Sequence, residues 1–257
     1  YMPMRTEISP LAAMRAHATA LALGLSLGGC AQLPSGGLQD AIDTLRPAAR
    51  AEGFAPALPD APRPTLRAGD TFVFGRSTVR RVQTSGSDAL IWSTTDGQTQ
   101  RATPHFFAPL LQQDLPTGSQ RSSLRGNPGA LWPLRVGRSV SFEETRVVRL
   151  QTFGVDDRSV LRWDCAVRET RHVSVPAGDF DTFHVRCEAH RADLPVPVRL
   201  PVQVMAWDYA PSLGHYVRRQ WFEGGQARES VLSAALPAEV ATPARLDQVL
   251  QRLRESP

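Results

Sequence analysis

Apolar and polar residues alternate with a period of two along most of the chain, from Gly69 to about Leu236. Such alternation is typical of a β-strand with one buried face, and turn residues rather than helical periodicity separate the runs. Consecutive strands joined by short polar turns predict an antiparallel sheet whose edges must be hidden. We therefore predict an all-β fold, mainly antiparallel, with a curved sheet that forms a sandwich or a partly closed barrel. The predicted strands are Thr71–Phe74, Val79–Val82, Ala89–Trp92, Val140–Leu150, Val160–Val175, Phe180–Ala189, Val202–Trp207, His215–Phe222 and Ala227–Leu236.

The middle of this region fits the alternation poorly. Residues 104–133 hold an apolar cluster and then a Ser/Gly/Pro-rich stretch, Pro116–Pro128, which is typical of a connecting loop. The segment Gly69–Phe74 is also similar to Gly137–Phe142. These observations suggest two β units within the fold. The units would be residues 67–130, including the connecting loop, and residues 131–236.

The C-terminal segment, residues 237–257, changes to helical periodicity. Thr242 and Pro243 stand in the order that favours an N-cap and a first helical residue. Apolar residues then recur on one helix face, at Leu246, Val249, Leu250 and Leu253. The sequence predicts a short amphipathic helix whose apolar face is covered by the sheet or by a partner.

Residues 30–66 precede the sheet and are rich in proline and alanine. Dense prolines prevent a long helix or a paired strand, so we predict an extended tether. The alternative is that this segment packs across the folded body.

The start of the chain has the organisation of a bacterial signal. A basic stretch and an apolar run, Ala18 to Leu27, lead into Leu27-Gly28-Gly29-Cys30, which resembles a lipobox. The resemblance implies that residues 1–29 are a signal peptide and that Cys30 is lipidated. It also implies an outer-membrane protein facing the periplasm, because Ala31 is not the aspartate associated with inner-membrane retention.

Two alternatives to the lipobox stay open. The signal could be an ordinary cleaved one, or the apolar run could be a buried helix. A membrane span needs about 20 apolar residues, and this run is roughly half as long.

Four segments carry a resemblance to known proteins. They are Leu131–Gly137 (LWPLRVG), Val173–Phe180 (VSVPAGDF), the strand Phe183–Cys187 that follows it, and Trp207–Gly214 (WDYAPSLG). Together they resemble uncharacterised β-rich domain families of bacterial envelope lipoproteins. The resemblance implies a β scaffold and supplies no catalytic residue. The residues of these motifs have turn chemistry, and we predict structural turns at Pro176, Gly178, Pro211 and Gly214.

Cys165 and Cys187 remain as a pair on the two strands that flank the VPAG turn. A bond between them would close a loop of about 22 residues and stabilise the fold by roughly 3 kcal/mol. If Val175 opposed Phe180, the two sulfurs would point to opposite faces of the sheet, and a one-residue bulge would be needed to align them. We predict a disulfide, with two free buried thiols as the alternative.

The sequence does not indicate a metal, a cofactor or a catalytic site. His184, Cys187 and His190 are three residues apart, which on a strand places the cysteine opposite the histidines. The chain contains no lysine, which excludes Schiff-base and P-loop lysines, and its G-x-S-x-G match, Gly24 to Gly28, lies in the apolar run of the predicted signal rather than at a strand-to-helix turn. Its formal charge of +4 is too mild and too evenly spread to indicate a nucleic-acid partner.

We therefore expect a protein that is not an enzyme and that is attached to the membrane by a lipid anchor. It would act as a binding or assembly module of the cell envelope, with an apolar or lipid-like ligand inside the curved sheet or an envelope protein as partner. One alternative is a structural accessory subunit of an envelope complex, with the helix face as its contact. Another is an unrecognised hydrolase.

Overall fold

A computed structural model describes residues 56–150, 154–194, 200–223 and 226–255. Within these residues twelve antiparallel strands form one sheet. The strands are β1 (Thr71–Phe74), β2 (Thr78–Ser85), β3 (Leu90–Thr94), β4 (Thr99–Ala102), β5 (Leu110–Leu115), β6 (Gly118–Arg125), β7 (Ser139–Leu150), β8 (Val155–Val175), β9 (Gly178–Arg191), β10 (Gln203–Ala210), β11 (His215–Glu223) and β12 (Gln226–Leu236).

The sheet closes on itself. Each strand pairs with its neighbours in the chain, and β1 pairs with β12, with Thr71 opposite Leu236. Closure gives every strand two partners, which leaves no exposed edge. The predicted all-β antiparallel fold is confirmed, and it has the form of a fully closed barrel.

The two β units suggested by the sequence are consecutive parts of this one barrel. Strand β6 pairs with β7 over its whole length, from Gly118 opposite Leu150 to Arg125 opposite Glu143. A short 3-10 helix, Pro128–Leu131, lies in the connection between them.

Strands β4, β5 and β6 lie where the sequence predicted no strand. Much of the stretch predicted as a loop, Pro116–Pro128, belongs to β6. The prediction was wrong here because these strands carry polar residues at several inward-facing positions. Their inward-facing residues include Gln113 and Gln120, which line a cavity rather than a dry core. Apolar alternation is therefore missing from the sequence.

The predicted disulfide between Cys165 and Cys187 is confirmed, with an S–S distance of 2.03 Å. Val175 opposes Gly178, so the hairpin turn has only two central residues, unlike the register considered from the sequence. A bulge between Val167 and Glu169 then shifts the pairing by one residue. The shift places the two cysteines directly opposite each other on the inner face.

Two of the predicted turn glycines have backbone angles that favour glycine. Gly178 has φ +132° at the end of the VPAG turn, and Gly214 has φ +66° in the turn that follows β10. A Cβ at Gly214 would stand 3.4 Å from the Cβ of Pro64. Gly214 therefore also lets the N-terminal segment approach closely. Pro176 and Pro211 lie in the same two turns.

Residues 1–55, which include Cys30 and most of the predicted tether, lie outside the described residues. The last part of the predicted tether, residues 56–66, packs on the barrel instead of extending away from it. Ala61 is buried and forms a two-way backbone bridge with Leu134, with N···O distances of 3.1 and 2.8 Å. Asp60 pairs with Arg135. Residues 56–66 therefore follow the alternative prediction, in which the segment packs across the folded body.

The C-terminal helix α1 (Pro243–Glu255) lies where the sequence predicted it. The amide of Arg245 donates to the hydroxyl of Thr242, which is the predicted N-cap (3.2 Å). The apolar residues Leu246 and Leu253 are only half-buried. Nowhere in the described ranges is there a helix with the length and apolar character to cross a membrane.

Candidate ligand cavity

The interior of the barrel is not completely filled. A cavity of about 490 Å³ lies among the inner faces of the strands. Pocket volumes of roughly 300–1,000 Å³ are usual for small-molecule sites. The apolar part of its wall is mainly aromatic and includes Phe74, Trp92, Phe106, Trp163, Trp207 and Trp221. The polar part includes Arg80, Gln113, Gln120, Arg146, Gln203 and Arg219.

The loop between β4 and β5 contributes apolar side chains to this wall. Phe106 stacks on Tyr209 with ring centroids 5.0 Å apart, and it meets Trp132 edge-on at 5.8 Å. Pro64 and Leu66, from the N-terminal segment, line the cavity beside this loop. The predicted apolar cluster of residues 104–133 thus serves as part of the cavity wall.

Glu144 forms the first buried charge cluster, on the inner face of β7. Its side chain is 0% exposed. Arg146 forms a bidentate pair with it, with Nε–Oε1 and Nη2–Oε2 distances of 3.0 and 2.9 Å. Ser122 Oγ and Trp163 Nε1 donate to the same carboxylate at 2.6 and 2.8 Å. With four hydrogen bonds and a counter-ion, the buried Glu144 is satisfied.

Arg80 lies in a different environment of the same cavity. Its Nη1 donates to the hydroxyl of Tyr216 at 2.9 Å, and its guanidinium carbon lies 4.6 Å from the ring centroid of Trp92. Its Nε is buried and makes no hydrogen bond among the described residues. No carboxylate in the described part of the chain forms an ion pair with Arg80.

Two histidines line the cavity in their neutral form. Burial, with a smaller contribution from the charge of Arg80, lowers the pKa of His215 to about 3. The His215 ring stacks on Phe72 with centroids 3.9 Å apart. Burial likewise lowers the pKa of His105 to about 4. Since Trp132 Nε1 donates to Nδ1 of His105 (3.2 Å), that nitrogen must be unprotonated.

A third cluster lies on the opposite face of the sheet from the cavity. Asp208 is 1% exposed and accepts from Arg218 Nε at 2.6 Å, and its other oxygen lies 2.8 Å from His184 Nδ1. Burial opposes the charged form of Asp208, but the His184 hydrogen bond and the charges of His184, Arg218 and Arg171 outweigh it and lower the pKa of the carboxyl. This network joins β9, β10 and β11.

The histidines and cysteine considered from the sequence are separated by the sheet. His184 faces Asp208, whereas Cys187 lies on the inner face in its disulfide. The His190 ring lies 3.9 Å from Glu188. In the described ranges, no group of three or more His, Cys, Asp or Glu residues is placed to hold a metal ion.

The sequence analysis missed the charged residues that face the interior. Glu144 could have been found from its phase, because Phe142, Glu144 and Arg146 fall on one face of a predicted strand. Arg80 is harder to identify because a charged residue on a short strand usually faces solvent. Nothing in the local sequence separates it from its neighbour Arg81.

No family model matches the chain, and no curated protein matches it. Three solved structures are similar to it in fold. One is the hypothetical lipoprotein YmcC from Escherichia coli K12, with a TM-score of 0.43, 8% identity and coverage of 65% of this chain and 84% of that one. The second is a candidate exported protein with a YmcC-like fold from Bacteroides fragilis. Its TM-score is 0.40 at 13% identity, with coverage of 68% of this chain and 99% of that one. The third is a candidate lipoprotein from Parabacteroides distasonis. Its TM-score is 0.37 at 12% identity, with coverage of 70% of this chain and 100% of that one. The fold assignment rests on the strand pairing of this chain itself.

Proposed function

We propose that this protein is a lipid-anchored, non-catalytic binding module of the cell envelope that takes an apolar or amphipathic ligand into its barrel. The observation that supports this function best is the cavity of about 490 Å³ with its aromatic wall. Proteins normally fill their interiors closely, so a cavity of this size is a candidate binding site.

The polar groups that face the cavity favour binding over chemistry. They are mainly glutamines and arginines, together with His105 and His215, and no aspartate or glutamate of the described chain lines the cavity. A glutamine cannot act as a general acid or base, and neutral arginine is not accessible near pH 7. The buried carboxylate Glu144 is held by four donors and is not available as a base.

The anchor is supported by the sequence Leu27-Gly28-Gly29-Cys30. Two or three acyl chains on Cys30 would hold the protein on a membrane stably, whereas one chain would not. We place it on the outer membrane, facing the periplasm, because of Ala31. Replacing Cys30 with Ala should abolish labelling by radioactive palmitate and release the chain from the membrane fraction. Unchanged labelling would overturn the anchor.

The cavity can be tested with N-phenyl-1-naphthylamine, a neutral probe that fluoresces in apolar surroundings. The purified Cys30→Ala chain, which carries no attached lipid, should bind about one probe per molecule. Gln113 lines the cavity, and the adjacent Gln112 points outward and is exposed. Gln113→Trp should therefore fill the cavity and weaken probe binding strongly, and Gln112→Trp is the matched control.

The two variants should unfold at similar urea concentrations, which shows that the barrel is intact. Equal probe binding by Gln113→Trp and Gln112→Trp would overturn the cavity as the binding site. Absence of any saturable probe binding by the parent chain would overturn the proposed function itself.

A further inference from the structure

We propose that the ligand is an amphipathic anion whose charged group binds Arg80. This inference rests on the proposed function, because it assigns a chemical class to the ligand of the same cavity. The class is an apolar chain or ring that ends in a single carboxylate or phosphate.

The first support is the charge of the cavity wall. Three arginines line it, Arg80, Arg146 and Arg219, and no acidic residue within the described ranges does so. Glu144 is not among the lining residues, and it neutralises Arg146 through two hydrogen bonds. The wall therefore carries a positive charge at Arg80 that no acidic lining residue of the described ranges offsets, and a partly desolvated positive charge favours an anion.

The second support is the geometry of Arg80. A guanidinium has five N–H donors arranged to match the two oxygens of a carboxylate or phosphate. Arg80 uses Nη1 for the Tyr216 hydroxyl and lies against the Trp92 ring. The phenol and the ring orient the guanidinium, but neither neutralises its charge. An anion at Arg80 would supply the missing counter-ion and an acceptor for its remaining donors.

The neighbouring ionisable groups do not compete for this role. His215 packs between Phe72 and Tyr216 close to Arg80 and is neutral because burial holds its pKa low. His105 is neutral for the same reason. Arg219 also lines the cavity, with its guanidinium carbon 4.9 Å from the Trp221 ring centroid.

The third support is the apolar surface next to Arg80. Trp92, Phe74 and Trp207 line the cavity within the same wall. A small inorganic anion would leave these rings exposed to water, whereas an apolar tail would cover them. The cavity therefore fits an anion with a tail better than a free anion.

The chain provides a matched pair of arginines for the test. Arg80 faces the cavity, and the adjacent Arg81 alternates to the outer face of β2. Arg80→Gln and Arg81→Gln remove the same charge from neighbouring positions. Both are made in the Cys30→Ala chain, and N-phenyl-1-naphthylamine is displaced at pH 8 by dodecanoate, 1-dodecanol or dodecyltrimethylammonium below their micelle concentrations.

We expect the parent chain and Arg81→Gln to bind dodecanoate about tenfold or more tightly than dodecanol, because hydrogen bonds to charged groups are stronger than those between neutral groups. Arg80→Gln should lose this preference and keep its affinity for dodecanol and for the neutral probe. Retained probe binding shows that the variant is folded. Dodecyltrimethylammonium should bind worst to the parent chain.

Two further ligands distinguish a phosphate with an apolar tail from free phosphate. Dodecyl phosphate should displace the probe at least as well as dodecanoate, and inorganic phosphate should not displace it at millimolar concentration. Displacement by inorganic phosphate would overturn the requirement for a tail. Equal affinities for dodecanoate and dodecanol, or an unchanged preference in Arg80→Gln, would overturn the role of Arg80 and leave the apolar cavity in place. Failure of the proposed function differs from both, since no probe would bind at all.

Discussion

Two arginines face the same cavity from different sides of the barrel and have different surroundings. Arg146 on β7 forms a bidentate pair with the fully buried Glu144, which two further donors complete. Arg80 on β2 has a phenol and an indole ring as neighbours and no carboxylate in the described residues. The first cluster is complete within the protein, and the second lacks a counter-ion.

The difference separates a structural charge from a binding charge. A buried charge with a full set of partners fixes the positions of the strands that carry it, and removing one partner exposes the others to an apolar environment. A partly buried charge without a counter-ion, such as Arg80, is retained most readily where a ligand completes it.

The largest effect is expected at Glu144. Glu144→Leu should lower the free energy of unfolding by about 3–5 kcal/mol, because Arg146 and the Trp163 indole would remain buried without their acceptor. Glu143→Leu on the outer face is the control and should change it by less than about 1 kcal/mol. Urea unfolding measures both. A small effect at Glu144 would mean that this cluster is not structural.

The disulfide lies in the wall that also carries Trp163. Replacing Cys165 and Cys187 together with Ala should lower stability by about 3 kcal/mol, because the unfolded chain loses a cross-link over a long loop. The preference for dodecanoate over dodecanol should be unchanged, since Arg80 lies on other strands. Non-reducing peptide mapping of the parent should recover the linked pair. Free alkylation of both thiols in the unreduced, unfolded protein would contradict the bond.

Acidification should destabilise the folded protein, because the buried His215 beside Arg80 resists protonation. The folded pKa of His215 is lowered to about 3 from 6.5, so the unfolded chain takes up the proton first. The contribution of neutral His215 to the free energy of unfolding is therefore fully present above pH 6.5 and falls as the pH decreases, by about 3 kcal/mol at pH 4.5.

NMR titration provides the direct measurement. The Cε1 proton of His215 should not titrate above pH 4 in the folded protein, and Arg80→Gln should raise the pKa because a neighbouring positive charge is removed. Titration near pH 6.5 in the parent would mean that water reaches this ring and that the Arg80 cluster is not desolvated.

The smallest effect on stability is expected at Arg80 itself. Arg80→Leu removes a charge without leaving a carboxylate unpaired, and it should change the free energy of unfolding by about 1 kcal/mol or less. Urea unfolding beside Glu144→Leu measures the contrast. If Arg80→Leu lowered the free energy of unfolding as much as Glu144→Leu, both arginines would be structural and Arg80 would not be a binding charge.

The sequence predicted the strands well where one face is apolar. Strands β7 to β12 and helix α1 follow their hydrophobic patterns, because burial of a face against a dry interior imposes period two or 3.6. Strands β4 to β6 were not predicted, because Gln113 and Gln120 form the polar part of the cavity wall and break the apolar alternation. The strands that the pattern missed are thus those that carry much of the polar wall.

The cysteine pair shows how far register can be argued from sequence. The pair itself was predictable from its position around the VPAG turn. Its alignment depended on a two-residue turn and on a bulge after Val167, and many turn lengths are compatible with the same residues. Bulges depend on sheet curvature, which neighbouring strands determine.

The sequence by itself determined the strand-rich body, the amphipathic helix, the turn glycines and the lipobox-like start, because each depends on residues close together in the chain. Tertiary structure alone decided that the sheet closes, that residues 56–66 lie on it, and that a cavity remains inside. It also decided which arginine has a carboxylate. Arg80 and Arg146 are 66 positions apart in the sequence, and only closure of the barrel places them in one cavity, where Arg146 pairs with Glu144 and Arg80 pairs with no carboxylate of the described residues. The charge balance of a cavity depends on which residues the fold brings together from distant parts of the chain, so no local pattern of residues can predict it.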